Sequence, residues 1–321
     1  MNSAPETQCD NSVKMNRHSI CILLCKLDGA RFLEEQLRSI ETGAFLSAHF
    51  LISDDQSQDN GLAIVKRVLA ERNLPFTIRT GPNEGFAENF RSLILAADTT
   101  YDFYAFCDQD DVWHKDKLIV AVSQIMRHAL DIPVLYGSRT RITNADNQPI
   151  GMSPLFARKP SFQNALVQSI AGGNTMVMNR AALILLQHAC AGVQFVSHDW
   201  FAYQMVTGAG GVFIMDQTPH IDYRQHENNA VGSNTGWRAA FARLQAGLHG
   251  RFARWNDVNI DALNANRALL TADANASLDA YAKARKASLF QRLLALQKAG
   301  VYRQTHKGTI SLLMACLLKR L

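Results

Sequence analysis

Four runs that read as strands fall within the first 107 residues, at 20–25, 50–53, 76–79 and 103–107, and a stretch with helical spacing separates each from the next. The first, ICILLC, is apolar at every position. A strand buried on both faces of a parallel sheet reads this way, whereas a strand with one wet face alternates. Between the runs, Phe32, Leu33, Gln36, Leu37 and Ile40 fit one helix face, and Leu62, Val65 and Leu69 fit a second. Phe86, Phe90, Leu93, Ile94 and Ala97 form a third amphipathic stripe. Strand and helix in alternation predict βαβ units, an α/β class with a mostly parallel sheet. Such sheets bind ligands beyond the carboxyl ends of their strands.

Two of those strand ends are acidic. FLIS runs into Asp54 and Asp55, and FYAFC runs into Asp108, Asp110 and Asp111. Carboxylates this close repel one another and resist losing water, so a positive group is expected among them. Asp-x-Asp offers hard oxygen ligands that suit Mg2+ or Mn2+, ions that also share a substrate's phosphates. Two other readings stay open on the residues alone. One is a solvated acidic turn capping a helix that begins near Lys115–Leu118. The other is the Asp-x-Asp-x-Val motif of haloacid-dehalogenase-like phosphatases. That motif belongs on a first strand with a later acidic pair; here it follows the fourth run and no good pair appears.

Beyond residue 120 the pattern is mixed. Segments 134–137 and 139–143 read as strands around a turn at 146–148, and 172–178 as a strand entered through Gly172 and Gly173. Residues 199–206 read as a helix and 212–215 as a further strand. From about Trp237 the chain is rich in Ala, Leu, Arg and Lys and reads as two to four helices. The expected organisation is a loose polar tail at 1–17, with Met15 as a candidate start, a domain at 18–235, and a helical extension at 236–321.

The extension carries 14 Lys and Arg against four Asp, so the overall +5 conceals an acidic first part. Its basic helices read either as a solvated face or as a peripheral contact with anionic lipid. In the second case Phe241, Leu244, Leu248 and Phe252 supply an apolar stripe beside Arg238, Arg243 and Arg251. A nucleic-acid partner would require basic residues interleaved with aromatics, and this pattern is missing. No apolar run is long enough for a membrane span and no signal-peptide pattern is seen, so the expected location is cytoplasmic, peripheral at the inner face of the membrane. The six cysteines form no Cys-x-x-Cys pair and read as small buried hydrophobes in a reducing compartment.

The order of motifs narrows the reading. ICILLCKLDGARFLEEQLRSI, ISDDQSQDN, GFAENF and FCDQDDVWHKDKL resemble a family 2 glycosyltransferase, and the CDQDDVW spelling is similar to its bacterial rhamnosyltransferase-like branch. GGNTMVMNRAAL, SHDWFAYQMVTGAGG and DYRQHENNAVG continue the resemblance in the same order, over residues 19–234. It implies a GT-A fold, with a mixed, mostly parallel central sheet and a C-terminal helical extension. It also implies a nucleotide-sugar donor, Mn2+ or Mg2+, inversion at the anomeric carbon, and a glycan or lipid-linked acceptor in surface polysaccharide assembly. By this resemblance the donor is dTDP-L-rhamnose, with UDP-hexoses as the alternative.

Carried over position by position, Asp55 would accept a hydrogen bond from the pyrimidine ring, with Asp54 assisting or holding the loop. Asp108 would lie near the ribose or the metal's waters, and Asp110 would be the main metal ligand. Asp199 matches the catalytic base, although Asp also caps helices. His226 would reach the metal or the diphosphate, or serve in the core, and His226 or Arg224 would add positive charge to the leaving group. Gly173, with Gly172, would line the donor and acceptor pocket. His198, Trp113 and Trp200 read as packing residues. Two positions depart from the family pattern: Leu27 stands where an aromatic is usual, and Gln56 where a glycine is usual.

Overall fold

A computed structural model describes residues 17–227 and 251–321. The first four strands are β1 (His18–Lys26), β2 (Leu46–Asp54), β3 (Phe76–Thr80) and β4 (Phe103–Cys107). Helices α1 (Ala30–Ser39), α2 (Gly61–Glu71) and α3 (Phe86–Ala96) connect them. These strands pair in parallel in the order β3-β2-β1-β4. The order reverses between β1 and β4, and that reversal opens a crevice at their carboxyl ends.

β1 shows why this sheet is buried on both faces. Ile20, Ile22 and Leu24 pack in one apolar cluster with Leu33 and Leu37 of α1 and with Val65 and Leu69 of α2. Cys21, Leu23 and Cys25 point the opposite way, into a second cluster with Phe90, Leu93 and Ile94 of α3. All six are at most 8% exposed, so a truncation such as Leu23→Ala would cost about 3 kcal/mol. The five cysteines among the described residues are free and buried.

The remaining elements complete a mixed sheet. The short β5 (Val112–Trp113) is followed by α4 (Lys117–Ile125), β6 (Val134–Thr143), β7 (Pro149–Met152), α5 (Phe162–Ala165), β8 (Val177–Asn179), α6 (Arg180–Cys190), α7 (His198–Gly208) and β9 (Val212–Arg224). β8 runs antiparallel between β4 and β6, β6 and β9 are parallel, and β5 closes the edge on β9. Three expectations change here. Residues 134–143 form one strand, which passes Ser138 through a register shift against β9. The GGNTMVM segment begins as a 3-10 turn, Gly173–Thr175, and only its end is strand. β9 continues nine residues past Met215, to Arg224.

Four helices follow among the described residues: α8 (Arg251–Ala265), α9 (Ala272–Lys286), α10 (Leu289–Ala299) and α11 (His306–Leu317). Ile260, Leu263, Leu278 and Tyr281 join the same cluster as Phe162, Leu166 and α3, so the extension shares a core with the sheet. Buried Asn164 fixes this junction: its Nδ2 donates to Tyr302 O at 2.9 Å, and its Oδ1 accepts from Gln304 Nε2 at 3.2 Å. No described helix is long and apolar enough to cross a membrane. Of the predicted apolar stripe, Phe241, Leu244 and Leu248 lie outside the described residues, as does the polar tail up to residue 16. Phe252 does not face outward; it packs on the core beneath the Arg303 guanidinium, 4.9 Å from its ring centre.

Candidate active site

The crevice is bridged by Gln109. Its Oε1 accepts the Leu27 N–H at 2.8 Å and its Nε2 donates to the Leu27 carbonyl at 2.6 Å. One amide thus joins the loop after β1 to the loop after β4. Gly29 beside it has no room for a side chain, since a Cβ would stand 2.1 Å from the Gln109 amide. Leu27 itself is 47% exposed at the mouth.

At the end of β2, Asp55 extends the ladder by donating its N–H to Lys26 O at 2.8 Å. Its buried carboxylate accepts the Asn83 N–H at 2.6 Å and so holds the loop after β3. Asp54 accepts from Ser57 Oγ at 2.6 Å and from Lys26 Nζ at 3.2 Å. Lys26 is fully buried and also reaches Asp59 Oδ1 at 2.8 Å. Asp59 accepts the N–H groups of Ala30 and Gly61, at the starts of α1 and α2. Burial pushes the Asp59 carboxyl up, but these bonds, led by Lys26, hold it below its ordinary value.

The acids after β4 separate into different environments. Asp111 is fully buried and structural: it accepts from Asn174 Nδ2 at 2.6 Å and from the Arg224 N–H at 3.2 Å. Asp108 is pushed up to about 7, first by burial, then by Asp110 and Asp199, with partial relief from Lys117. Lys117 is buried beside them, donates to Asn174 O at 2.6 Å and lies 3.0 Å over the centre of the Trp113 ring. Burial lowers it to about 7 against the pull of Cys107, Asp111 and Asp108. Asp110 faces the crevice, where its Oδ2 lies 2.8 Å from His226 Nε2. The His226 ring packs against Phe32 at 4.8 Å.

Arg224 lies behind this pair and is 2% exposed. It donates to Asp110 O at 2.9 Å, to Ala145 O at 2.6 Å and to Glu35 at 2.6 Å. Its guanidinium fixes the backbone of the acidic loop and places a cation beneath it.

The far wall is α7. Ser197 occupies the N-cap position, and Asp199 sits in the first turn, its Oδ1 accepting the Trp200 N–H at 2.7 Å. Its charge helps raise Asp108, so the two carboxylates are electrostatic neighbours although 91 positions separate them in sequence. His198 points the other way, stacked on Phe90 at 3.7 Å and edge-on to Phe106 at 4.7 Å. Both its ring nitrogens are buried without a hydrogen-bond partner, and burial holds it neutral, down to about 4. Gly173 allows that placement, because a Cβ there would stand 2.0 Å from His198 Nε2. Trp113 and Trp200 are buried, as packing residues should be, and Trp200 Nε1 donates to Ala165 O at 2.6 Å.

The donor set suits a hard divalent cation. Asp110 Oδ2 and His226 Nε2 are hydrogen-bonded to each other at 2.8 Å. Asp108, short of counter-charge, lies beside them. No group of three such side chains is already gathered among the described residues. Sequence reasoning did not find Lys26, Lys117, Asn174, Glu35 or the role of Gln109. Only Lys117 had a local signal, as a lysine directly after the acidic motif.

Residues 21–185 match the model of glycosyl transferase family 2, and the chain belongs to that family. It is 30% identical over 228 residues to the dTDP-rhamnosyl transferase RfbG of Shigella flexneri, covering 68% of this chain and 76% of that protein. Its fold is similar to that of S. aureus TarS 1-349 in complex with UDP-GlcNAc, with a TM-score of 0.55 at 16% identity, covering 94% of this chain and 88% of the other. TarS 1-349 without ligand gives 0.50 at 13% identity, over 88% and 90%. The chain is a glycosyltransferase of GT-A fold, rhamnosyltransferase-like in sequence.

Proposed function

We propose that this enzyme is an inverting, metal-dependent transferase that moves L-rhamnose from dTDP-L-rhamnose to a hydroxyl of a glycan or lipid-linked acceptor. The pathway is surface polysaccharide assembly, of O-antigen or capsule type, in the cytoplasm at the inner face of the membrane. The donor rests on the likeness to the dTDP-rhamnosyl transferase. The chemistry is supported by the contact of Asp110, after β4, with His226, after β9, at 2.8 Å, and by Asp108, whose carboxyl feels the charges of both Asp110 and Asp199.

Each residue then has a role. Asp55, with Asp54 behind it, receives the pyrimidine, and Leu27 offers the base an apolar surface. Asp108 takes the ribose side of the donor. Asp110 and His226, with Asp108, would hold Mn2+ or Mg2+, which when bound supplies Lewis-acid stabilisation of the leaving diphosphate. Arg224 adds positive charge beneath that group, and Gly173 leaves room for the His198 ring that precedes Asp199. Asp199 takes the acceptor proton. The acceptor oxygen forms its bond to the anomeric carbon as the bond from that carbon to the diphosphate oxygen breaks, and the electron pair leaves with the nucleoside diphosphate.

Asp199→Asn tests this assignment. The variant should lose transfer by about a thousandfold or more and keep donor affinity. A phosphohydrolase using Asp108 would hardly respond, and a binding protein would have no turnover to lose; either result would refute the proposal.

A further inference from the structure

Helix α11 has its apolar stripe facing the wrong way for a helix packed only on its own domain. Ile310, Leu313, Met314, Leu317 and Leu318 recur at i, i+3, i+4, i+7 and i+8, the spacing of a buried face. All five are at least 42% exposed, while only Leu312 and Cys316 of this helix are buried. The neighbouring α10 does the same: Phe290 is 73% exposed, Leu294 51% and Leu293 38%. The two helices pack together: buried Arg292 of α10 donates to Cys316 O of α11 at 2.9 Å and to Ala287 O, just before α10, at 2.7 Å. Exposed apolar stripes on two helices packed against each other mark an interaction site.

Its charge selects the partner. After Asp279 no acidic residue follows through position 321. Lys283, Lys286, Lys298, Lys307, Lys319 and Arg320 are all exposed on or beside these helices. Two copies brought face to face would oppose cation to cation. An anionic lipid surface instead accepts the apolar stripe between its headgroups and the cations at its phosphates.

We infer that α10 and α11 form a peripheral membrane-binding face that takes anionic phospholipid. This inference does not depend on which sugar the enzyme transfers. The test is flotation of the full chain with vesicles of phosphatidylcholine alone, and with vesicles containing about one-quarter phosphatidylglycerol. The triple variant Phe290→Ser, Ile310→Ser, Leu318→Ser is run in parallel, since these side chains are exposed and their loss leaves the core intact. The expected result is binding only to the anionic vesicles, weakened by salt, and reduced about tenfold or more in the variant at unchanged Tm. Equal binding by variant and wild type would overturn the inference. So would failure of the wild type to bind, including the case in which sedimentation shows a self-associated chain that the variant returns to monomer.

Discussion

Gln109 grips Leu27 by both of its backbone polar groups, N–H to Oε1 at 2.8 Å and carbonyl to Nε2 at 2.6 Å. The residue between the two aspartates of the Asp-x-Asp motif thus clasps the loops after β1 and β4, at the point where the strand order reverses. Gln109→Ala removes both bonds. It should cost about 1 kcal/mol of stability, as partly exposed bonds do, and raise the donor KM more than it lowers kcat. Urea unfolding and donor saturation curves measure the two effects separately.

Lys26 is a charge at the end of a buried strand, held by Asp54 and Asp59 at 3.2 and 2.8 Å with its side chain fully buried. Lys26→Met leaves two partly buried carboxylates without their cation and should cost about 3 kcal/mol. Asp59→Asn in the same chain should recover part of that loss, because it removes one of the stranded charges. Denaturation midpoints of the single and double variants check this.

Gln56 occupies a left-handed conformation, at φ +65°, where the family pattern has glycine. A side chain there costs about 1 kcal/mol, while glycine would give up some of that gain to the greater freedom of its unfolded chain. Gln56→Gly should therefore stabilise by about 0.5 kcal/mol, and Gln56→Val should destabilise by more than about 1 kcal/mol. Calorimetric Tm values of the pair give the signs.

His198 sets a pH dependence. Its folded pKa of about 4 lies below the value of about 6.5 in an unfolded chain. Between those values the unfolded state binds the proton and the folded state does not, so stability falls as pH drops from about 6.5 toward 4, by about 3 kcal/mol in all. His198→Leu should flatten this part of the stability curve relative to wild type. Gly173→Ala, which drives a methyl against the ring, should destabilise at every pH. Urea unfolding from pH 7 to 4 distinguishes the two.

The sequence made the sheet readable where the chain is buried on both faces. ICILLC and FYAFC are uniformly apolar because helices cover both sides, and the acids Asp108, Asp110 and Asp111 come directly after the second of these buried strands. β9 was harder to see beyond Met215. Asp216, Gln217, Thr218 and Pro219 interrupt its apolar pattern, and a register shift at Ser138 and Arg139 of β6 absorbs the irregularity. Helix α4 was legible only within one of the alternatives, the helix beginning near Lys115–Leu118, because LIVAV fits a strand as well as a helix. The pairings Lys26–Asp59 and Arg224–Glu35 span 33 and 189 positions, and no local pattern announces contacts at that distance.

The central claim is a metal-assembled nucleotide-sugar site on Asp110 and His226. Thermal shift with a panel of dTDP- and UDP-sugars, each with and without Mn2+ or Mg2+, tests it most directly, because a ligand that binds only the folded state raises Tm. The account predicts that dTDP-L-rhamnose raises Tm only when metal is present, and that Asp110→Ala abolishes the shift. A nucleotide-sugar shift that needs no metal, or that survives Asp110→Ala, would contradict it.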